Sequence, residues 1–328
     1  MESDAQLPGS LVAEVSRNRV GLAGIRRAID TIRWGRKPRD RALIAAYYGL
    51  LTGFKLFGGR HGIGMFPGFW LGDVAVETPI GRFACRARTT DFDIVNPNHE
   101  AELVRGIERR LARAPNGDSV FVDVGAHVGK YTILAARLLG SGGRVVAIEP
   151  DPSNFAALTS NVALNGLDNV QAFNVGCWSS DGEKILHRQL GNLGGHSFVD
   201  STEGEAISVP VRTLDGLLAE AGANHVDAMK LDVQRAESEV LLGARSTLQA
   251  NRRVTVFFEE SGDPQAASSI RMLRALGFVV DRLDEVNHVA ERPEESEPRS
   301  VQDWHSMGTT SGRRIGRVPR TAARCGPT

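Results

Sequence analysis

A doubly wound α/β fold, an open and largely parallel sheet with helices on both faces, is what this sequence predicts. Three observations lead there. Ser119 to Thr132 reads SVFVDVGAHVGKYT: an apolar run ends in Asp123, Gly125 and Gly129 follow at once, and a helical pattern begins. This is the pattern of a buried strand running through a glycine turn into a helix N-terminus, where main-chain N–H groups point outward. A second run, Gly143 to Ile148, ends in Glu149, 20 residues after Gly129. A carboxylate there has the geometry to accept from both hydroxyls of a ribose. From Ser119 to about Val289, strand and helix patterns then alternate, as repeated βα units do.

The elements follow in order. Residues 1–66 read as a basic helical extension, with Val20, Ile25, Ile29 and Ile32 near helical spacing among arginines. The apolar run 42–54, ALIAAYYGLLTGF, is too short to span a bilayer and reads as a helix packed on the main domain. Residues 67–116 lead into the core: 73–88 alternate around a turn as a β-hairpin, and Glu100–Ala112 is a helix. The core, 117–289, carries strands at Val120–Asp123, Arg144–Glu149, Val170–Val175, Val226–Leu231, Val254–Glu259 and Val279–Leu283. Asp151–Pro152 starts a helix and Asn165–Gly166 stops it. Ser179–Val211 breaks the rhythm and reads as an inserted hairpin and loop. Residues 290–328 have little hydrophobic periodicity and read as a disordered tail.

Composition bounds the function. With 328 residues, 41% hydrophobic and 24% charged, the chain has the makeup of an ordinary globular protein. A formal net charge of zero gives no global field for nucleic acid, and no basic stripe with interleaved aromatics is evident. The three cysteines, Cys85, Cys177 and Cys325, are far apart and unpaired in pattern. Together with the polar N-terminus MESDAQLPGS they point to the cytoplasm. Residues 1–60 hold eleven Lys or Arg against five Asp or Glu, so a second reading of the extension is peripheral contact with an anionic membrane.

The motifs DVGAHVG (123–129), IEPDP (148–152), NG-x-x-NV (165–170), SDG (180–182), VPVRTLD (209–215) and KLDV (230–233), in this order, resemble the FkbM family of S-adenosylmethionine-dependent methyltransferases. The likeness covers about Ala75 to Glu260. It implies a class I methyltransferase (Rossmann-like) fold, S-adenosyl-L-methionine as methyl donor, and O-methylation of a hydroxyl on a small molecule, sugar or glycan. Under it, Asp123 accepts from the methionine ammonium, directly or through water. Gly125 and Gly129 let the chain pass beneath the cofactor, Glu149 takes the ribose, and Gly176 and Cys177 lie near the adenine.

An alcohol must lose its proton as the new bond forms, so a base nearby helps. Asp232, at the end of VDAMKLD, is one candidate, and His196 in GGHSF and Glu237 are two more. His127, inside the glycine turn, reads as structural, and Lys230 as a packing or ion-pair residue. Asp232 with Glu259 or Glu260 on the next strand end suggests a seat for a divalent ion, but no third ligand is evident and no metal site is assigned. Where the family commonly continues with Glu-Gly-x-Glu, the matching positions here are Gln234, Arg235, Ala236 and Glu237, so a carboxylate and a glycine are both lost. That departure motivates one alternative, a methyltransferase fold that binds without catalysis. Glu149 motivates another, an NAD-dependent oxidoreductase, although the turn lacks the G-x-G-x-x-G spacing.

Overall fold

The computed structural model describes residues 22–56, 72–113, 117–188, 196–198, 205–259 and 266–293. The chain enters through two helices, α1 (Leu22–Arg33) and α2 (Pro38–Leu56). Ile44 and Tyr47 of α2 are buried in a core cluster with the hairpin β1 (Val74–Glu77) and β2 (Arg82–Cys85). Between the helices the chain joins the hairpin edge: Arg36 N–H donates to Ala75 O (2.9 Å) and Glu77 N–H to Trp34 O (2.8 Å). The apolar helix of the extension thus packs on the main domain. Of the tail expected from residue 290, Ala290 and Glu291 belong to the last strand, Asn287–Glu291; the first 21 residues and those beyond 293 lie outside the described residues.

After a short helix α3 (Asp91–Ile94), α4 (Ala101–Leu111) buries Leu103, Val104, Ile107 and Leu111. The alternating core follows: β3 (Val120–Val124), α5 (Lys130–Leu139), β4 (Arg144–Ile148), α6 (Pro152–Leu164) and β5 (Val170–Phe173). Asp151 caps α6, its carboxylate accepting from Ser153 and Asn154 N–H (both 2.9 Å), and Pro152 opens the first turn. The inserted segment forms a separate three-stranded sheet of β6 (Gly176–Cys177), β7 (Gly182–Arg188) and β8 (Glu205–Arg212). Next come α7 (Leu214–Glu220), β9 (Ala228–Leu231), α8 (Glu237–Gly243), α9 (Arg245–Ala250), β10 (Thr255–Glu259), α10 (Ala266–Ala275), β11 (Val279–Arg282) and β12 (Asn287–Glu291).

The main sheet has seven strands in the order β11-β12-β10-β9-β3-β4-β5. Its strands pair in parallel except β12, which runs antiparallel to both β10 and β11. The fold is therefore doubly wound, with one strand more than the sequence reading contained. The two faces are packed separately. Phe121, Val145, Ala228 and Phe257 face α4, α5 and the β1–β2 hairpin. Val122, Val146, Met229 and Val256 face α7, α8, α9 and α10. Burial on both sides is why the central strands read as continuous apolar runs.

Candidate active site

β3 and β9 are neighbours, yet the chain winds outward from them in opposite directions. The crevice beyond their C-terminal ends is the place where open α/β sheets bind ligands. Gly125 and Gly129 sit there at φ +77° and +92°, in the left-handed region. A Cβ on Gly125 would fall 2.9 Å from the carbonyl carbon of Asp232, and nearer still to its oxygen. The turn after β3 is thus pressed against the turn after β9, and only glycine leaves room. Gly125 and Ala126 N–H both donate to Ile148 O (2.9 and 3.0 Å), which fixes the turn to β4 as well.

Asp123 is fully buried beneath this turn. Thr132 O–H donates to its Oδ2 (2.6 Å), while Oδ1 has no hydrogen bond and lies 3.8 Å from Lys230 Nζ. Burial holds the Asp123 carboxyl above its ordinary range, with Lys230 and Thr132 opposing the shift. A cofactor ammonium at Oδ1 would share the carboxylate with Lys230. That lysine is buried, and burial works against its charge, but Asp232, Asp123 and Glu100 outweigh this and hold it above the usual lysine value. It is the ion-pair residue the sequence suggests, and it also lies 4.9 Å over the Tyr131 ring.

Glu149 stands at the tip of β4. Its Oε2 accepts from His127 N–H (2.8 Å) and its Oε1 from Asp151 N–H (3.0 Å). The Asn154 side chain adds a third hydrogen bond to this carboxylate, and ribose hydroxyls would share what remains of its lone-pair sites. Burial pushes the carboxyl up to about 7, against the pull of the two N–H groups and Asn154. The Gly176 and Cys177 side of the site is closed: a Cβ on Gly176 would meet the Phe198 ring at 2.6 Å, and the Cys177 thiol is buried in the core. Any contact with an adenine there runs through the main chain. His127, read as structural, has both ring nitrogens buried without a hydrogen-bond partner, and burial pulls it down to about 4. Beside it lies an ion pair that the sequence reading missed. Arg86 Nε and Nη2 grip Asp91 (both 2.8 Å), and Nη1 and Nη2 reach Ser153 and Asn154 on α6.

The three candidate bases part company. Asp232 is partly open, with Lys230 Nζ donating to Oδ2 (3.2 Å) and Gln234 Nε2 to Oδ1 (2.9 Å). His196 instead faces Asp151 across 3.9 Å, and burial lowers its pKa, with Asp151 opposing the shift. Glu237 is buried, and its Oε1 accepts from Val233 and Arg235 N–H (both 3.3 Å), so this carboxylate fastens the turn after β9. Burial, with Asp232 nearby, pushes it up to about 7. In that turn Gln234 and Arg235 both have positive φ, +51° and +80°. The residue that replaces the family's glycine thus occupies a backbone that glycine adopts without strain.

An amide N–H group, Gln234 Nε2, bridges the Asp232 and Glu259 carboxylates, so a divalent ion between them would have to displace it. Both Asp232 oxygens already accept from N–H donors, and Gln234 Nε2 also donates to Glu259 Oε2 (3.0 Å). Among the described residues no group of three His, Cys, Asp or Glu side chains converges as metal ligands. Glu260 lies outside the described residues. S-adenosylmethionine does fit. The tight glycine cradle, the unbonded Asp123 Oδ1 and the two-oxygen tip of Glu149 match its backbone-hugging, ammonium and ribose requirements.

A seven-stranded sheet with one reversed strand next to its edge, and a nucleoside crevice at the switch point, is the class I methyltransferase fold. Residues 123–280 match the family model described as Methyltransferase FkbM domain. The chain is 29% identical over 207 residues to the 31-O-demethyl-FK506 methyltransferase FkbM of Streptomyces tacrolimicus, covering 54% of this chain and 77% of that one. It is 27% identical over 194 residues to the 2-O-methyltransferase NoeI of Sinorhizobium fredii, covering 54% and 75%. It is 26% identical over 260 residues to the AMB antimetabolite synthetase AmbE of Pseudomonas aeruginosa, covering 64% of this chain but only 12% of that much longer protein.

Proposed function

We propose that this protein is an S-adenosylmethionine-dependent O-methyltransferase whose acceptor is a hydroxyl on a small molecule, sugar or glycan. One observation carries the reading. The glycine turn, Glu149 and the partly open Asp232 stand together at the C-terminal tips of the adjacent strands β3, β4 and β9, with the turn after β3 pressed against the turn after β9. The names of two relatives, a 31-O-demethyl-FK506 methyltransferase and a 2-O-methyltransferase, favour oxygen as the acceptor atom.

When bound, the cofactor supplies a sulfonium-activated methyl group. Glu149 holds the ribose by accepting from both hydroxyls, and the glycine turn presents main-chain N–H groups. Asp123, Thr132 and Lys230 fix the floor beneath the methionine end. Asp232 would take the proton of the acceptor hydroxyl, and the bound sulfonium would supply the methyl group to that oxygen, leaving as the neutral thioether. Lys230 and Gln234 keep that carboxylate pointed at the crevice. Much of the remaining work is alignment and exclusion of water.

The test is a pair of measurements. S-adenosylhomocysteine, and not NADH, raises the melting temperature. Labelled S-adenosylmethionine then transfers its methyl group to a glycan or metabolite pool. Stabilisation by NADH alone would favour the oxidoreductase. Cofactor binding with no transfer to any pool would favour the non-catalytic reading that Gln234 and Arg235 suggest. Cys85 and Cys177 are buried free thiols, in keeping with a cytoplasmic setting. Peripheral membrane contact belongs to the same proposal: Arg26, Arg36, Lys37 and Arg39 are exposed on and beside α1 and α2, and no described helix is long and apolar enough to cross a membrane. Vesicles containing phosphatidylserine should sediment the protein, and charge reversal at Arg26 and Arg39 should abolish this.

A further inference from the structure

The segment His196–Phe198 crosses the site. His196 faces Asp151, just beyond the tip of β4. Ser197 is bridged to His187 of β7 by two main-chain bonds (2.9 and 3.1 Å), and its O–H donates to the main-chain carbonyl of Gln234, just beyond β9 (2.7 Å). In the sheet, β3 lies between β4 and β9, so this strap passes over the glycine turn that follows β3. Phe198 closes the far side, its ring 5.6 Å from that of Trp178 in an edge-on arrangement.

The same Gln234 that receives the strap also holds the reaction centre. Its Nε2 donates to Asp232 Oδ1 (2.9 Å) and to Glu259 Oε2 (3.0 Å). Leu231 and Phe258 are register partners in β9 and β10, which places Asp232 and Glu259 side by side at the two strand tips. With Lys230 on one oxygen of Asp232 and Gln234 on the other, rotation of that carboxylate is blocked from both sides. The backbone is bent to make this possible. Two consecutive non-glycine residues, Gln234 and Arg235, are left-handed, and Glu237 accepts from the N–H groups on either side of Gln234. Strain of this kind persists only where surrounding contacts over-determine it.

We propose that Gln234 is the positioning residue of the reaction centre: its main-chain carbonyl seats the strap over the crevice and its side-chain amide aligns Asp232 against Glu259, so that strap and base are set as one unit. The departure from the family pattern at this position is then a working part of the site. The inference rests on the reading of the crevice as the cofactor site.

The test uses the full chain with S-adenosylhomocysteine as probe. Trp178 emission, isolated by difference from W178F, reports the strap, and calorimetry reports affinity. In the wild type, emission changes and saturates together with the binding heat. S197A removes the strap bond and lowers affinity about two- to tenfold, the range of one hydrogen bond. Q234N tolerates the left-handed backbone but is one methylene too short to span both acids, and it lowers affinity by a similar factor. The two substitutions cut different bonds, one to the main chain of residue 234 and one from its side chain; the double variant S197A/Q234N nevertheless binds no more weakly than the worse single variant, because strap and base are set as one unit and either cut releases both. Trp178 emission in Q234N no longer follows binding, which a merely structural role would leave unchanged. Where Q234N does not fold, Q234E, of equal length but with an acceptor in place of the donor, serves instead. Losses that multiply in the double variant, or wild-type Trp178 emission that ignores a bound probe, overturn the proposal. Absence of any binding to the wild type overturns the reading of the crevice itself.

Discussion

A methyl group added at Gly125 probes the tightest point of the crevice, and Gly129 supplies the control. Both residues are left-handed, so Gly125→Ala and Gly129→Ala share the same backbone penalty, about 1–2 kcal/mol. They share the same loss of unfolded-state freedom as well. What differs is the neighbour. At Gly129 the new Cβ meets the Cδ1 methyl of Leu158 at 2.7 Å, the end of a side chain that can turn away. At Gly125 it meets the Asp232 main chain, with the carbonyl carbon at 2.9 Å. Carbon atoms pack at about 3.5–4.0 Å, so the tips of β3 and β9 must part by roughly 0.6 Å or more. Overpacking of that kind costs about 1–3 kcal/mol beyond the backbone term. Gly125→Ala should therefore lose about 2–5 kcal/mol in urea unfolding, and Gly129→Ala about 1–2. At about 2–4 °C per kcal/mol, the Gly125 variant melts roughly 4–20 °C lower. It should also lose binding of S-adenosylhomocysteine while Gly129→Ala keeps part of it. Equal stability of the two variants, within about 0.5 kcal/mol, would refute the view that the two turns are pressed together.

Other outcomes follow from the charges and the backbone. Because only ionised Glu149 accepts from both ribose hydroxyls, and burial holds it at about 7, affinity for S-adenosylhomocysteine should rise as pH climbs towards 7 and level off above it; calorimetry from pH 5.5 to 8.5 checks this, and Glu149→Gln should bind weakly with a flat profile. Glu237, also near 7 when folded, binds its proton more tightly in the native than in the unfolded chain. Its contribution to stability is fully present below about 4.3 and is lost as pH rises through 7, a loss of up to about 3 kcal/mol that urea titrations should find missing in Glu237→Gln. Arg235→Gly relieves a left-handed arginine at φ +80° and should stabilise the fold by about 1 kcal/mol. In a Cys325→Ser background, Cys85 and Cys177, both buried, should leave a thiol reagent unreacted until the protein is denatured.

The central strands were legible because they are apolar on both faces, and a run such as Val120–Val122 has few other places to go. β12 was not: Asn287, His288 and Glu291 make it look like a loop, and its pairing depends on Asp284, whose carboxylate accepts from Val286 and Asn287 N–H to turn the chain back. In the site, the residues at strand tips were legible by position. Asp123, Glu149 and Asp232 stand where a crevice must form. Side-chain partners were not, because they come from far along the chain. Nothing near Gln234 in the sequence announces Ser197 or Glu259, and nothing near His127 announces Arg86 and Asp91. Nor does the sequence announce that N–H groups in its own turn hold the Glu237 carboxylate.

The reversed strand has a practical consequence for anyone dividing this chain. Matched residues stop at 280, within β11, whereas β12 at 287–291 sits inside the sheet between β10 and β11. A fragment trimmed to the homologous stretch would leave β11 with no hydrogen-bonding neighbour and β10 with an open edge, an invitation to self-association. It would also strip α4 and the β1–β2 hairpin from one face and bare Phe257 to water. Expression boundaries for this protein are better drawn from its ladder of hydrogen bonds than from the reach of its sequence likeness.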